Sequence, residues 1–242
     1  MECARLSRYG VLSVTGADAR DFLHAQLTND IENLALDRAA LAGWCSAKGR
    51  LLATFLVIPA QQGFLLQLAR DLAPAVAKRL SMFVLRSKVK VADESDSWAQ
   101  FGVWQADAPA RVEWEGDSVR VPVEERRFLR LERGAGSLQC AGKEEDWHLQ
   151  EIRAGRPLIT AATQDQFVPQ MVNLETLGGV DFRKGCYPGQ EIVARAQYRG
   201  QVKRRMVRLP APAGAQLKPG AEFNGGVVVD SAGGELLAVM PI

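Results

Sequence analysis

The apolar residues of this chain come in short runs of strand or single-helix length, separated by turn residues. Residues 9–14, 51–58 and 64–68 are apolar runs typical of buried strands. A stripe with helical spacing follows at 72–84, and residues 98–104 return to a strand pattern. This strand–strand–helix–strand order predicts an α+β fold rather than a helical bundle or an all-β sandwich.

Three of the predicted helices carry signals at their ends. Asp71 precedes the stripe and is expected to act as its N-cap. A helix over 145–154 should close at Gly155, since glycine tolerates the left-handed conformation of a helix end. Pro188 should occupy the first turn of a later helix, which places Cys186 directly before that helix.

The C-terminal part changes character. It contains a proline-rich linker and then glycine-containing turns such as Asn224-Gly225, which favour hairpins. A small β module is therefore predicted, with short strands at 202–209, 221–223, 227–230 and 235–240.

Composition excludes few function classes. The formal charge is +2, so the whole chain shows no general preference for polyanions. No apolar run reaches the roughly 18 residues of a membrane-spanning helix, and no signal peptide is recognisable. We therefore expect a cytoplasmic protein with no membrane partner.

The cysteines and histidines do not form a metal-binding pattern. Cys3, Cys45, Cys140 and Cys186 are scattered without Cys-x-x-Cys spacing, and the two histidines lie far apart. In the expected reducing compartment the cysteines should be free thiols, and no metal site is predicted.

Residues 184–191, Lys-Gly-Cys-Tyr-Pro-Gly-Gln-Glu, combine groups that neither a core strand nor a surface helix requires. A thiol before a helix N-terminus and near Lys184 is favoured as thiolate. The alternative is that Cys186 is a small packing residue in a tight turn. No histidine lies nearby in sequence to serve as its base.

This segment resembles the signature of the YgfZ-type folate-binding proteins, which are relatives of the T-protein (aminomethyltransferase) of the glycine cleavage system. The similarity extends over almost the whole chain and includes 27–30, 48–50, the helix after Asp71, 147–157, 169–175 and 184–195.

The resemblance implies a three-part ring around a central hole that holds tetrahydrofolate, a reduced folate. Residues 1–45 and 140–200 would form a discontinuous folate-binding domain. Residues 46–139 would be an inserted α+β domain, and 201–242 a small C-terminal β-barrel.

The resemblance also implies a site. Cys186 and Lys184 would be its catalytic residues, and Glu175 would accept hydrogen bonds from the N–H edge of the pterin. Trp44 would stack on a flat ligand, and Arg195 would face the glutamate tail. The expected folate-binding residues are Asp30, Trp44, Lys48, Arg50, Gln170, Asn173, Glu175, Tyr187, Gln190 and Arg195.

The family role implied is folate-dependent support of iron–sulfur protein assembly or repair, which affects tRNA modification through an iron–sulfur enzyme. Iron–sulfur proteins would be the clients of a monomer. The basic run at 203–205 is expected to protect a sheet edge, and we do not expect direct nucleic-acid binding.

Two alternatives stay open. T-proteins carry acids shortly after the Lys-Gly-Arg-like segment, whereas residues 51–55 here are Leu-Leu-Ala-Thr-Phe, which argues against aminomethyltransferase activity. The chain could also be a non-catalytic docking module for iron–sulfur proteins, in which case Cys186→Ala would leave function intact.

Overall fold

The computed structural model describes residues 1–200, 202–212, 214 and 217–242, which divide into two compact units. The first unit comprises Met1–Phe22, Asn33–Ala40 and Leu56–Trp147, and the second comprises Leu23–Glu32, Leu41–Phe55 and His148–Ile242. The three-domain division predicted above stays a prediction. Its boundary at Gln201 lies outside the described residues.

Helices and strands alternate irregularly along the described chain, and its sheets are antiparallel wherever pairing is resolved, as expected for an α+β fold. The strands are β1 Glu2–Arg5, β2 Tyr9–Thr15, β3 Ala40–Cys45, β4 Leu51–Ala60, β5 Gly63–Ala69, β6 Lys90–Asp93, β7 Trp98–Trp104, β8 Glu113–Glu115, β9 Ser118–Glu124, β10 Arg127–Arg133, β11 Arg204–Pro210, β12 Glu222–Phe223, β13 Gly226–Ala232 and β14 Glu235–Pro241. The helices are α1 Ala19–Gln26, α2 Ala73–Ser81, α3 Glu144–Arg153 and α4 Gln190–Tyr198.

The first unit contains a five-stranded antiparallel sheet in the order β1-β7-β10-β9-β8. A second sheet of the same unit contains the end of β4, followed in order by β5, β2 and β6. Helix α2 packs against β2 and β6. Tyr9–Val14 are buried without alternation, as expected for a strand covered on both faces. The hydrophobic core of this unit therefore lies around these central strands.

The second unit contains β3, the start of β4 and a C-terminal antiparallel sheet in the order β11-β14-β13-β12. Between α3 and α4 the chain is mostly turns, with one 3-10 turn at Pro169–Val172. Among the described residues the C-terminal sheet is open, because its outer strands β11 and β12 are not neighbours. Closure into a barrel stays a prediction.

Several sequence-based element predictions are confirmed. β7 covers the predicted residues, and α3 lies within one residue of the predicted helix at each end. Gly155 ends α3 with a φ of +67°, and its N–H donates to the Ile152 carbonyl at 3.0 Å.

Two predicted helix starts are wrong. Asp71 belongs to a 3-10 turn, and the N-cap of α2 is Leu72, with no side-chain cap hydrogen bond. Pro188 precedes α4, because Gly189 at φ +79° occupies the N-cap position and its left-handed backbone interrupts the helix. In both places a tight turn directly precedes the helix, a 3-10 turn before α2 and the left-handed Gly189 before α4.

The prediction that all cysteines are free thiols is wrong for Cys3 and Cys140, which form a disulfide. The Gly142 N–H donates to the Cys3 carbonyl at 3.0 Å and thereby holds the segment that contains Cys140 beside β1. The two Cα atoms are consequently 5.1 Å apart, within the range that a disulfide spans. Cys45 and Cys186 are free.

No helix in the described residues is long and apolar enough to cross a membrane.

Candidate functional site

Lys184 is held in the second unit by backbone carbonyl groups of α1 and the residue after it. Its Nζ donates to the His24 carbonyl and to the Leu27 carbonyl, the latter at 2.8 Å, and lies 4.7 Å from the centre of the Tyr187 ring. Burial lowers the pKa of Lys184 to about 8, against the opposing effects of Asp30, Asp181 and Cys186. The ammonium is therefore a fixed cation that is only partly solvated.

Cys186 is the accessible free thiol of the chain. Its side chain is exposed, and Lys184 interacts with it electrostatically. Cys45 is buried, and burial, followed by the charge of Asp165, raises its pKa to about 12. Of the two free cysteines, only Cys186 is placed for chemistry with an external reactant.

Sequence reasoning missed a histidine near this thiol. A Cβ added at Gly185 would lie 3.6 Å from His24 Nε2, so the imidazole stands beside the residue that precedes Cys186. Its Nδ1 lies 3.2 Å from Asp30 Oδ1. No local sequence signal could have found His24, because it comes from α1, 160 positions before Lys184.

The turn that contains Lys48 and Arg50 is in direct backbone contact with the residues around Cys186. A Cβ at Gly189 would lie 2.4 Å from the Ser46 carbonyl oxygen and 2.7 Å from the Gly49 Cα. Two sequence-predicted segments are thus brought together by glycines that let the chains approach closely. Lys48 is exposed, and Arg50 is exposed with its Nη1 donating to the Asp165 carbonyl at 3.2 Å.

Glu175 and Asn173 converge on Arg205, a cation from β11. Arg205 Nη1 lies 2.5 Å from Glu175 Oε1 and donates to Asn173 Oδ1 at 3.1 Å. Asn173 has a φ of +57°, and its amide donates to the Met206 carbonyl at 2.8 Å. The second carboxylate oxygen, Glu175 Oε2, is buried and has no hydrogen-bond partner among the described residues. Sequence reasoning treated Arg205 only as part of a basic run.

Gln170, in the 3-10 turn at Pro169–Val172, provides a second unsatisfied acceptor. It is completely buried, and its Nε2 donates to the Val193 carbonyl of α4 at 2.8 Å. The Oε1 atom of Gln170 is buried and accepts no hydrogen bond from the part of the chain that the structure describes. Since a buried acceptor without a hydrogen bond is destabilising, these two oxygens favour a site that receives donors from a ligand or water.

The other predicted ligand residues are more dispersed. Tyr187 is buried, and burial, followed by the charge of Cys45, raises its pKa above the usual value. The N–H of Gln190 donates to the Tyr187 carbonyl at 3.2 Å. Arg195 is exposed on α4.

Trp44 is only 2% exposed, and its Nε1 donates to Gln26 Oε1 at 3.4 Å. This burial favours a packing role in the core. Direct stacking of Trp44 on a ligand stays a prediction.

Asp30 belongs to a small charged cluster. His24, Asp30 and Glu32 place possible metal-ligand atoms within 4.8 Å of one another. The Glu32 N–H donates to His24 Nδ1 at 3.2 Å, which occupies one candidate ligand atom. Lys184 interacts electrostatically with Asp30 and supplies positive charge there. We therefore assign no metal to this cluster.

The family is shown by comparison with curated relatives, although no family model matches the chain. It is 32% identical to the tRNA-modifying protein YgfZ of Serratia proteamaculans, over 86% of this chain and 71% of that protein. It is 31% identical to the tRNA-modifying protein YgfZ of Escherichia coli (strain K12 / DH10B), over 90% of this chain and 74% of that protein. The chain belongs to the YgfZ family. The expectation from the signature is thereby confirmed.

The fold of this YgfZ family member is also that of a T-protein. The glycine cleavage system aminomethyltransferase T from Bartonella henselae superposes with a TM-score of 0.76, at 15% identity, over 99% of this chain and 78% of that chain. At this identity the likeness establishes the fold alone.

Proposed function

We propose that this YgfZ family member binds a reduced folate, tetrahydrofolate, and supports the assembly or repair of iron–sulfur proteins, and thereby tRNA modification. The relatives' name supports the tRNA part, and the T-protein-like fold supports a folate ligand. The finer architecture belongs to the same proposal: a three-part ring around the ligand with a C-terminal barrel, acting as a cytoplasmic monomer.

Two buried acceptors carry the folate proposal: Glu175 Oε2 and Gln170 Oε1 have no hydrogen-bond partner within residues 1–200, 202–212, 214 and 217–242. A pterin presents adjacent N–H donors along one edge, and an ionised carboxylate is a strong acceptor for them. Arg205 occupies the other oxygen of Glu175 and so fixes the orientation of the carboxylate. These residues therefore fit a pterin on the basis of their hydrogen-bonding capacity.

The remaining candidates supply charge and a reactive group. Lys48, Arg50 and Arg195 are exposed cations suited to the glutamate tail of a folate. When bound, the folate would carry a one-carbon unit. Cys186, which interacts electrostatically with the Lys184 ammonium, would provide the nucleophile, redox group or cluster ligand beside the folate.

Calorimetric titration with tetrahydrofolate under anaerobic conditions tests this proposal. We expect micromolar binding by the wild type and at least tenfold weaker binding by Glu175→Gln, because a hydrogen bond to a charged group contributes about 1.5–3 kcal/mol. Glu222→Gln, an exposed glutamate on β12, is the matched control and should bind like the wild type. The melting temperature of each variant is measured as well, to check that loss of the negative charge opposite Arg205 does not unfold the protein.

Each other result of the titration has a distinct meaning. Unchanged affinity in Glu175→Gln would keep the folate but remove Glu175 as its anchor. Absence of saturable heat in the wild type would contradict folate binding and favour the docking module, in which surface charges and not Cys186 carry the function.

Aminomethyltransferase activity is the second candidate, favoured by the T-protein-like fold. Against it, Leu51–Phe55 contains no acid, and Thr54 Oγ1 accepts from the Ile159 N–H at 3.1 Å and donates to the Pro157 carbonyl at 3.2 Å. No general base is therefore available on this strand segment. A glycine cleavage assay with the partner proteins should show no turnover, and activity comparable to a T-protein would overturn this assignment.

A further inference from the structure

A group of exposed apolar side chains follows α2 in the first unit. Met82 is 70% exposed, Phe83 43% and Leu85 89%, so three of the nine large apolar residues exposed in the described chain lie within four positions. Single exposed apolar residues are ordinary on a protein surface, whereas a local group of them marks a surface that contacts something apolar. We call residues 82–88, which lie between α2 and β6, the apolar tip.

The apolar tip is held at both ends, so its exposure does not come from a frayed chain. The N–H groups of Met82, Phe83 and Val84 donate to carbonyl groups in the last turn of α2 at 3.2, 3.0 and 3.3 Å. At the other end the Lys88 N–H donates to the Asp18 carboxylate at 2.7 Å, and the Lys88 carbonyl accepts from the Asp18 N–H at 3.4 Å. The apolar side chains are therefore presented on a fixed turn.

Leu85 has a backbone conformation that a leucine rarely adopts. Its φ is +46°, in the left-handed region that is unfavourable for L-residues with a large side chain. Because the side chain is 89% exposed, burial within the chain does not offset this cost. Strained backbone of this kind concentrates at functional positions. An asparagine or a glycine would suit the turn better, so a leucine here indicates an apolar contact outside the chain.

The apolar tip lies in a stretch of one charge sign. Residues 72–92 contain five Lys and Arg residues and no Asp or Glu, whereas the whole chain has 30 basic and 28 acidic residues. Lys78, Arg86 and Lys88 are exposed, and they form no ion pair with any residue in the described part of the chain. Cations thus flank the apolar side chains on both sides in the sequence, and an anionic surface would complement them.

These properties together favour a lipid surface. A second copy of the chain would bring two basic tips together, which like charges oppose. An anionic lipid surface attracts Lys and Arg, and its acyl boundary accepts apolar side chains of any shape, whereas a protein partner needs a matching pocket. The N–H groups of Met82, Phe83 and Val84 are already bonded to α2, which is a requirement for backbone that enters an apolar medium.

We propose that the apolar tip inserts into the surface of an anionic lipid membrane, with its three exposed apolar side chains at the acyl boundary and the flanking cations on the lipid phosphates. Such a peripheral contact needs no membrane-spanning helix. It departs from the expectation of no membrane partner, which rested on the absence of a spanning segment and of a signal peptide. It also goes beyond the proposed function and requires no folate, so the two proposals fail separately.

Co-sedimentation of the full chain with vesicles tests the proposal. The vesicles contain phosphatidylcholine alone or phosphatidylcholine with about one third phosphatidylglycerol. We expect at least tenfold tighter binding to the mixed vesicles, because each Lys or Arg near an anionic surface contributes about fivefold. Arg86→Ala/Lys88→Ala should therefore weaken binding to the mixed vesicles at least tenfold.

Leu85→Asn separates a contact with lipid from a structural role of the leucine. Asparagine tolerates the left-handed conformation but lacks the apolar side chain, so binding to the mixed vesicles should weaken about tenfold. The melting temperature should not fall, since the replaced side chain is exposed. A lower melting temperature would assign Leu85 to the stability of the fold and overturn the proposal.

Two variants elsewhere in the first unit are the matched controls. Leu36→Asn replaces another exposed leucine, which is 71% exposed. Arg126→Ala/Lys143→Ala removes two exposed cations. Both variants should bind vesicles like the wild type. Equal weakening by either control would reduce the effect to overall hydrophobicity or overall charge and overturn the proposal.

The other outcomes also decide the matter. Absence of binding to the mixed vesicles would overturn the proposal and leave an acidic partner protein as the occupant of the apolar tip. Equal affinity for both kinds of vesicle would overturn the role of the cations. A wild-type dimer in sedimentation velocity that becomes monomeric in Leu85→Asn would assign the tip to a second copy instead. Tetrahydrofolate titration of Leu85→Asn should match the wild type, which separates failure of this contact from failure of the folate site.

Discussion

Gly189→Ala is expected to lower the free energy of unfolding by about 3 kcal/mol or more. A left-handed backbone costs an L-residue about 1–2 kcal/mol, and Gly189 has a φ of +79°. In addition, the new Cβ would lie 2.4 Å from the Ser46 carbonyl oxygen and 2.7 Å from both Cα and N of Gly49. Backbone atoms cannot rotate away as a flexible side chain can, so the two turns would have to separate. Equilibrium unfolding in urea measures the change.

Gly178→Ala is the matched control for this prediction. Gly178 has a φ of +74°, but a Cβ there meets nothing within 4 Å. Its cost should therefore be the backbone term alone, about 1–2 kcal/mol. If the two variants lost equal stability, the contact between the Gly49 turn and the Gly189 turn would not contribute as described.

Lys184→Met is expected to slow the alkylation of Cys186 by iodoacetamide by up to about fivefold at pH 7. The ammonium and the thiol interact electrostatically, and an opposite charge beside a solvent-exposed group contributes about 0.2–1 kcal/mol. Mass spectrometry of the peptide that contains Cys186 follows the reaction and separates it from the buried Cys45. Lys218→Met, which removes an exposed lysine, should react like the wild type.

The pH dependence gives this prediction a sharper test. The folded-state pKa of Lys184 is about 8, so its charge is present below that pH and is lost as the pH rises through it. The ratio of wild-type to Lys184→Met rates should therefore fall towards one between about pH 7 and pH 9.5. A ratio that stayed constant over this range would show that Lys184 acts on Cys186 through structure and not through its charge.

Local sequence patterns determined the secondary structure of this protein. The apolar run of β7 and the helix that closes at Gly155 were predictable because their signals, side-chain periodicity and a helix-ending glycine, act over a few neighbouring residues. The Lys184–Glu191 signature likewise identified the family, because an unusual combination of residues in eight positions is specific without any knowledge of the fold. The start of α4 was misplaced by two residues because Gly189 adopts a left-handed conformation, which glycine permits but the local sequence does not require.

Only the tertiary structure decided how the site is assembled. The Arg205–Glu175 pair, the closeness of His24 to Gly185, the contact of Gly49 with Gly189 and the Cys3–Cys140 disulfide all join residues distant in sequence. Such contacts depend on which strands and turns pack together, and no single segment encodes that. The buried acceptors Glu175 Oε2 and Gln170 Oε1 follow the same rule: a glutamate and a glutamine look ordinary in the sequence. Folding alone removes these two oxygens from water and leaves them without a partner in the described part of the chain, because burial is a property of the packed chain and not of the residue.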